Sequence, residues 1–133
     1  MSEPRKVWVR DVMVNSYVIV DGLTTVQDSI MLARKNEVKV MIVAKRHRED
    51  EYGIVLMNDI AKDVLANNRS AERVNIYEIM TKPALSVNPD MNVKYCARLF
   101  ERFSISQAPV VEDGEIIGMV SYNNIVLNGM ARS

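Results

Sequence analysis

The chain has 133 residues, 48% apolar and 26% charged, enough for one compact domain with a sizeable core and too apolar for a disordered one. Lys plus Arg and Asp plus Glu both total 17, and zero net charge argues against nucleic acid, which needs a basic surface to neutralise its phosphates. It leaves room for a small anion held by one or two cations. The single Cys96 cannot form an intrachain disulfide, so a reducing cytoplasm is the expected location. No apolar h-region follows Met1-Ser2-Glu3-Pro4-Arg5-Lys6, so no secretory signal is expected, and the longest apolar runs, such as 40–44, are far too short to span a membrane.

A short helical turn ending at Met13 leads into a β run at 17–20 and the turn Asp21-Gly22. A helix follows from Thr24 or Thr25, with the stripe Val26, Ile30, Ala33 on one face. Two β runs, 40–44 and 52–56, are joined by a long charged loop, and a helix runs from near Asn58 to about Asn67. The polar stretch that ends at Val74 reads as a linker.

The order then repeats. A turn ends at Met80, a β run covers 84–87, and Asn88-Pro89-Asp90 turns the chain. A helix begins near Asn92 with the stripe Val93, Ala97, Phe100. Runs 108–112 and 115–120 flank Asp113-Gly114, a tight-hairpin signal, and a helix from near Asn123 runs to about Met130. Asn58 and Asn123 read as N-caps.

The two passes match residue by residue. Val9-Arg10-Asp11-Val12-Met13 returns as Ile76-Tyr77-Glu78-Ile79-Met80, an offset of 67 that also pairs Val20 with Val87, Val26 with Val93, Leu32 with Leu99 and Val43 with Val110. The offset drops to 65 for Gly53 with Gly118, Val55 with Val120, Asn58 with Asn123 and Ile60 with Ile125. Such a repeat predicts two β-α-β-β-α half-domains with a pseudo-two-fold cleft between them.

No catalytic constellation stands out. One histidine cannot build a His-rich metal site, and the glycines are scattered singly rather than gathered into a phosphate loop. Cys96 and His47 could form a thiol–imidazole pair, but Cys96 stands where the first copy has Ser29, as a small core-edge residue would, and His47 lies in the charged stretch 45–51. We therefore expect neither an enzyme nor a metal site. The informative stretch is the last strand-to-helix turn of each copy, Gly53-Ile54-Val55-Leu56-Met57-Asn58-Asp59-Ile60 and Gly118-Met119-Val120-Ser121-Tyr122-Asn123-Asn124-Ile125. A polar group there, at a helix N-terminus, is placed to meet a ligand.

At these residues the chain resembles a tandem pair of CBS (cystathionine β-synthase-type) domains, a Bateman module. The resemblance rests on the leading Asp/Glu-hydrophobic-Met turn, the strand Pro109-Val110-Val111-Glu112 and the closing Gly-hydrophobic-hydrophobic-Ser/Thr-x-x-Asp-hydrophobic signature. It implies an α/β (α+β sandwich) fold of two pseudo-symmetric β-α-β-β-α motifs packed sheet to sheet, with motifs at 8–67 and 75–131 and a linker at 68–74. It also implies an adenosyl ligand between the motifs: AMP, ADP, ATP or S-adenosylmethionine, bound as a regulatory ligand rather than a catalytic cofactor.

Carried over by position, one site joins Asp59 to Lys82, Pro83, Ala84, Ser106, Gln107 and Pro109. The other joins Ser121 and Asn124 to Ser16, Tyr17, Val18, Lys39 and Ile42. Leu56 replaces the expected Ser or Thr, and Asn124 replaces the expected Asp, so the two sites should be unequal, with Asp59 in the stronger. The implied role is a stand-alone ligand sensor that signals to a separate, unidentified protein partner, without nucleic acid or membrane. The alternative is a structural dimerisation module with vestigial sites. The family's habit of pairing through helices implies a homodimer, with Met31, Leu99, Phe103, Val126 and Met130 as candidates for its face or, equally, for the core.

Overall fold

The computed structural model describes residues 6–131. It divides into two compact units that do not follow the repeat. One is contiguous, Ser16–Ala84; the other is split, joining the residues up to Asn15 to those from Leu85 onward. The leading turn of each copy therefore packs in the unit built by the other copy. The stretch 68–74 is part of the contiguous unit, where Val74 and Ala71 carbonyls accept the first amides of a helix, Val26 N–H at 2.8 Å and Gln27 N–H at 2.9 Å.

In the contiguous unit, β1 (Val18–Val20) lies parallel to β2 (Val40–Val43), with Val18 opposite Met41, and β2 pairs antiparallel with β3 (Gly53–Leu56), with Val40 opposite Leu56. Thr81 extends the ladder beyond β3 through a bridge to Ile54. The helix after the Asp21-Gly22 turn, Val26–Lys35, is capped by Thr25, whose hydroxyl accepts the Asp28 amide at 3.1 Å. The helix after β3 spans Met57–Ile60 and continues with π-helical winding over Ala61–Leu65. Val26, Met41, Val55 and Ile76, each closed to solvent, centre the core.

The split unit begins with a helical turn, Val9–Val12, and adds a helix at Val93–Phe103 capped by Asn92. Its hairpin joins β4 (Gln107–Glu112) to β5 (Glu115–Ser121). Asp113 and Gly114 both take positive φ, 53° and 80°, as the tight turn expected from their sequence requires. The expected strand at 84–87 is reduced to one parallel bridge, Val87 to Val110. Pro109 explains the loss: it stands where the first copy has Ile42, and it has no N–H to continue the ladder toward the Leu85 carbonyl.

The repeated motifs now have a physical reading. Asp11 and Glu78 turn back to accept the Trp8 and Asn75 amides at 2.9 and 2.8 Å, closing each leading turn. Each turn then lays its methionine on a strand glycine of the same unit. A Cβ on Gly53 would come within 2.7 Å of Met80 Sδ, and one on Gly118 within 3.0 Å of Met13 Sδ. The Met and Gly signatures are two halves of one contact.

The equivalent helix positions Ser29 and Cys96 are both fully buried. Ser29 Oγ has no hydrogen-bond partner among the described residues. Burying an unpaired hydroxyl is unfavourable, so Ser29→Ala should stabilise the protein by about 1 kcal/mol in urea unfolding. Ser29→Cys, which copies the other unit, should do the same; destabilisation by both would mean that the hydroxyl is paired.

Candidate functional site

The closing turns begin two residues earlier than Asn58 and Asn123 suggested. Leu56 and Ser121 are the N-cap residues. In the split unit the reason is a reciprocal box: the Ser121 hydroxyl accepts the Asn124 amide at 3.1 Å, while Asn124 Oδ1 accepts the Ser121 amide at 3.0 Å and its hydroxyl at 2.9 Å. In the contiguous unit only half the box exists. Asp59 Oδ2 accepts the Leu56 amide at 2.8 Å, and the Leu56 side chain returns nothing. Asn58 and Asn123 are exposed and cap neither helix.

These closures separate the two turns chemically. The single acceptor oxygen of Asn124 is already occupied twice. Asp59 is half-buried, carries a full carboxylate, and its Oδ1 accepts no hydrogen bond among the described residues.

The register assembles further residues around each turn. In the contiguous unit Ser16 and Tyr17 precede β1 and Lys39 precedes β2, at the end of the sheet where β3 delivers Leu56 to the Asp59 turn. Ser16 and Lys39 are exposed, Tyr17 and Val18 half-buried. Burial raises the Tyr17 phenol above its ordinary value, so it stays neutral and able to donate. In the split unit Gln107 pairs with Ser121, and the Ser106 carbonyl accepts the Tyr122 amide at 3.0 Å. Each unit thus sets residues before or at the start of its own strands beside its own closing turn.

Ile42 and Pro109 are fully buried. Lys82 is turned to the hairpin-loop end of the contiguous unit, where its Nζ bonds Asp50 at 2.9 Å. Asp50 also accepts the Arg46 amide at 2.8 Å; that bond and Lys82 hold its carboxyl well below the usual carboxylate range. Pro83 is exposed and Ala84 half-buried, the latter donating its amide to the Tyr52 carbonyl at 2.8 Å.

Cys96 is buried in the split unit's core, which pushes its thiol up to about 11 and leaves it a poor nucleophile. Among the described residues no group of three or more His, Cys, Asp or Glu side chains is arranged to hold a metal ion, and no helix is long and apolar enough to cross a membrane.

The sequence reading passed over an open pocket of about 560 Å³ in the contiguous unit, at the C-terminal ends of β1 and β2. Asp21, Leu23, Lys45, Arg46, Tyr77 and Lys82 are among the residues that line it.

The architecture is that of a paired-repeat α+β module with a polar closing turn in each half. A CBS domain model matches residues 76–129. The hexameric CBS-CP12 protein from bloom-forming cyanobacteria is 35% identical, with a TM-score of 0.86 over 91% of this chain and 70% of that one. The CBS domain-containing protein YhcV of Bacillus subtilis (strain 168) is 24% identical over 92% of this chain and 86% of its own length. The chain belongs to the CBS domain family. It also shares its fold with the CBS domain pair of protein MJ0100, solved in complex with 5′-methylthioadenosine and S-adenosyl-L-methionine, at a TM-score of 0.77 and 24% identity over 91% of this chain and 94% of that one.

Proposed function

We propose that this chain is a regulatory, non-catalytic module that binds an adenine nucleotide or a related adenosyl compound and passes the signal to a separate partner. The observation that carries this reading is Asp59, a half-buried carboxylate with one oxygen closing its helix and the other open to a ribose hydroxyl. The resemblance pairs that turn with Ser106 and Gln107, and pairs Asn124 with Ser16, Tyr17, Val18 and Lys39. The adenosyl ligands of MJ0100 support the ligand class. Binding becomes a signal only if the ligand prefers one of two states of the protein.

Calorimetry with AMP, ADP, ATP and S-adenosylmethionine tests the proposal. At least one should bind, and Asp59→Asn, which keeps a capping oxygen but removes the charge, should weaken it roughly tenfold. Asn124→Ala should cost less than about threefold, because its oxygen is already spent. Silence from all four ligands at millimolar concentration, or the reverse order of the variants, overturns the reading.

A second reading, a dimerisation module with vestigial sites, is favoured by Leu56 and by the apolar side chains left exposed on the helices. Met31, Phe103, Val126 and Met130 are 51%, 53%, 49% and 66% exposed, whereas Leu99 is half-buried against the core. Either reading places a homodimer in the cytoplasm. Light scattering separates the two: a dimer whose mass, shape and melting temperature ignore every nucleotide supports the second.

A further inference from the structure

The helix Val93–Phe103 buries Cys96 and Phe100 and carries two rows of residues on its open side. Lys94, Arg98 and Arg102, all exposed, follow one another at four-residue intervals, a row of cations about 6 Å apart along the helix. Tyr95 and Phe103, 54% and 53% exposed, stand in the adjoining row with half-buried Leu99 between them. Lys94 Nζ and Arg98 Cζ lie 5.1 and 5.6 Å from the centre of the Tyr95 ring. That contact orients both side chains and neutralises neither charge.

No carboxylate answers the row. Among the described residues, none of the three cations takes part in an ion pair. Glu101, the one acid of the helix, lies on the far flank of the row from Phe103 and pairs with none of them. Other acids of the unit are engaged elsewhere: Asp11 closes the leading turn, and Asp90 and Glu112 hold Arg10. The first copy's helix has no such face. By the repeat, Gln27, Met31 and Lys35 replace the three cations, and Asp28 and Asn36 replace the two rings.

Aromatic rings and arginines are the residues on which protein interfaces concentrate their affinity, and rows of charge select partner and register. The same row opposes a second copy, because pairing the face with itself would set like charges together. Zero net charge of the whole chain weighs against nucleic acid.

We propose that this face docks an acidic helix of a partner protein, with carboxylates at four-residue intervals beside an apolar row. The shared spacing of about 6 Å lets a carboxylate meet each cation while the apolar row covers Tyr95, Leu99 and Phe103. The face gives the separate partner of the regulatory reading its chemistry and rests on that reading only for the signal. Docking itself is tested without nucleotide, so the two fail separately.

The test is an NMR titration of isotope-labelled protein with a synthetic peptide of about 18 residues, long enough to hold a helix, with glutamates and leucines in adjacent four-residue rows. Two further peptides replace its glutamates by glutamine or its leucines by serine. The first should move the amide signals of residues 94–103 and bind at least about tenfold tighter than either of the others. The double variant Arg98→Glu, Arg102→Glu changes only exposed side chains, so it should fold normally and abolish the response. Tyr95→Ala should weaken binding roughly fivefold. Lys35→Glu, at the equivalent point of the other helix, and Asp59→Asn should both leave it unchanged. The proposal is overturned by no response to the glutamate–leucine peptide, by equal binding of the glutamine peptide, or by an undiminished response in the folded double variant. Tighter binding to phosphatidylserine vesicles, or signals of 94–103 that shift on dilution of the protein alone, would overturn it in favour of a membrane or a second copy.

Discussion

Phe100→Ala is expected to destabilise the protein by about 3–5 kcal/mol, read as a lower urea midpoint at unchanged slope. Phe100 is fully buried among Val9, Val12, Val87, Cys96 and Val110, with its ring edge-on to Tyr122 at 5.2 Å between centroids. Its counterpart in the other copy is Ala33, so alanine is not foreign to this point of the fold. The difference lies in the facing strand, where Ala108 corresponds to Met41. One unit places the large side chain on the helix and the small one on the strand, and the other unit reverses them. Phe100→Ala alone leaves two small residues facing each other and a cavity between them. Adding Ala108→Met should recover at least about half of the loss, because the pair then copies a packing the chain already uses. No recovery would mean that the two cores are not interchangeable.

The second large effect concerns fragments. A piece spanning Ser16–Ala84 should fold, with dispersed NMR signals and a cooperative melt, whereas 8–67, the first copy as the repeat defines it, should not. The shorter piece lacks Val74, Ile76 and Ile79, which are 4%, 0% and 7% exposed in the contiguous unit's core. Each buried aliphatic side chain contributes about 1.5–3 kcal/mol. Their joint loss is comparable with the whole stability of a small domain, about 5–15 kcal/mol. It also carries Met13 without Gly118, the glycine on which it packs. A cooperative 8–67 and an unstructured 16–84 would make the repeat, not the exchanged unit, the folding unit.

Most of the architecture was legible because it is written locally. Thr25, Asn92 and Asp113-Gly114 mark their boundaries with short-range hydrogen bonds and backbone preferences, and those boundaries hold. The strand at 84–87 was misread because its ladder depends on a donor that Pro109, twenty-odd residues away, does not have. The closing caps were misplaced because asparagine is a good cap in isolation, while Asp59 and Asn124 can also close their turns from the third helical position. The exchange of leading turns was not legible at all. A repeat tells which segments are alike, and nothing in likeness says which copy a segment packs against. The Asp59 turn was found through family resemblance, and its inequality with Asn124 through chemistry.

The exchange also bears on how the chain comes to be folded during synthesis. The amides of Val9 and Arg10 bond the carbonyls of Met91 and Pro89, about eighty residues downstream. During synthesis the helical turn at Val9–Val12 therefore has to wait for the second half of the protein, while Ser16–Ala84 packs as a compact unit of its own. Long-range contacts of this kind slow folding, and units complete themselves in the order their parts emerge. The nascent chain should pass through a state with one finished half and an apolar turn, carrying Val9, Val12 and Met13, still uncovered. That interval is when the protein most needs a chaperone.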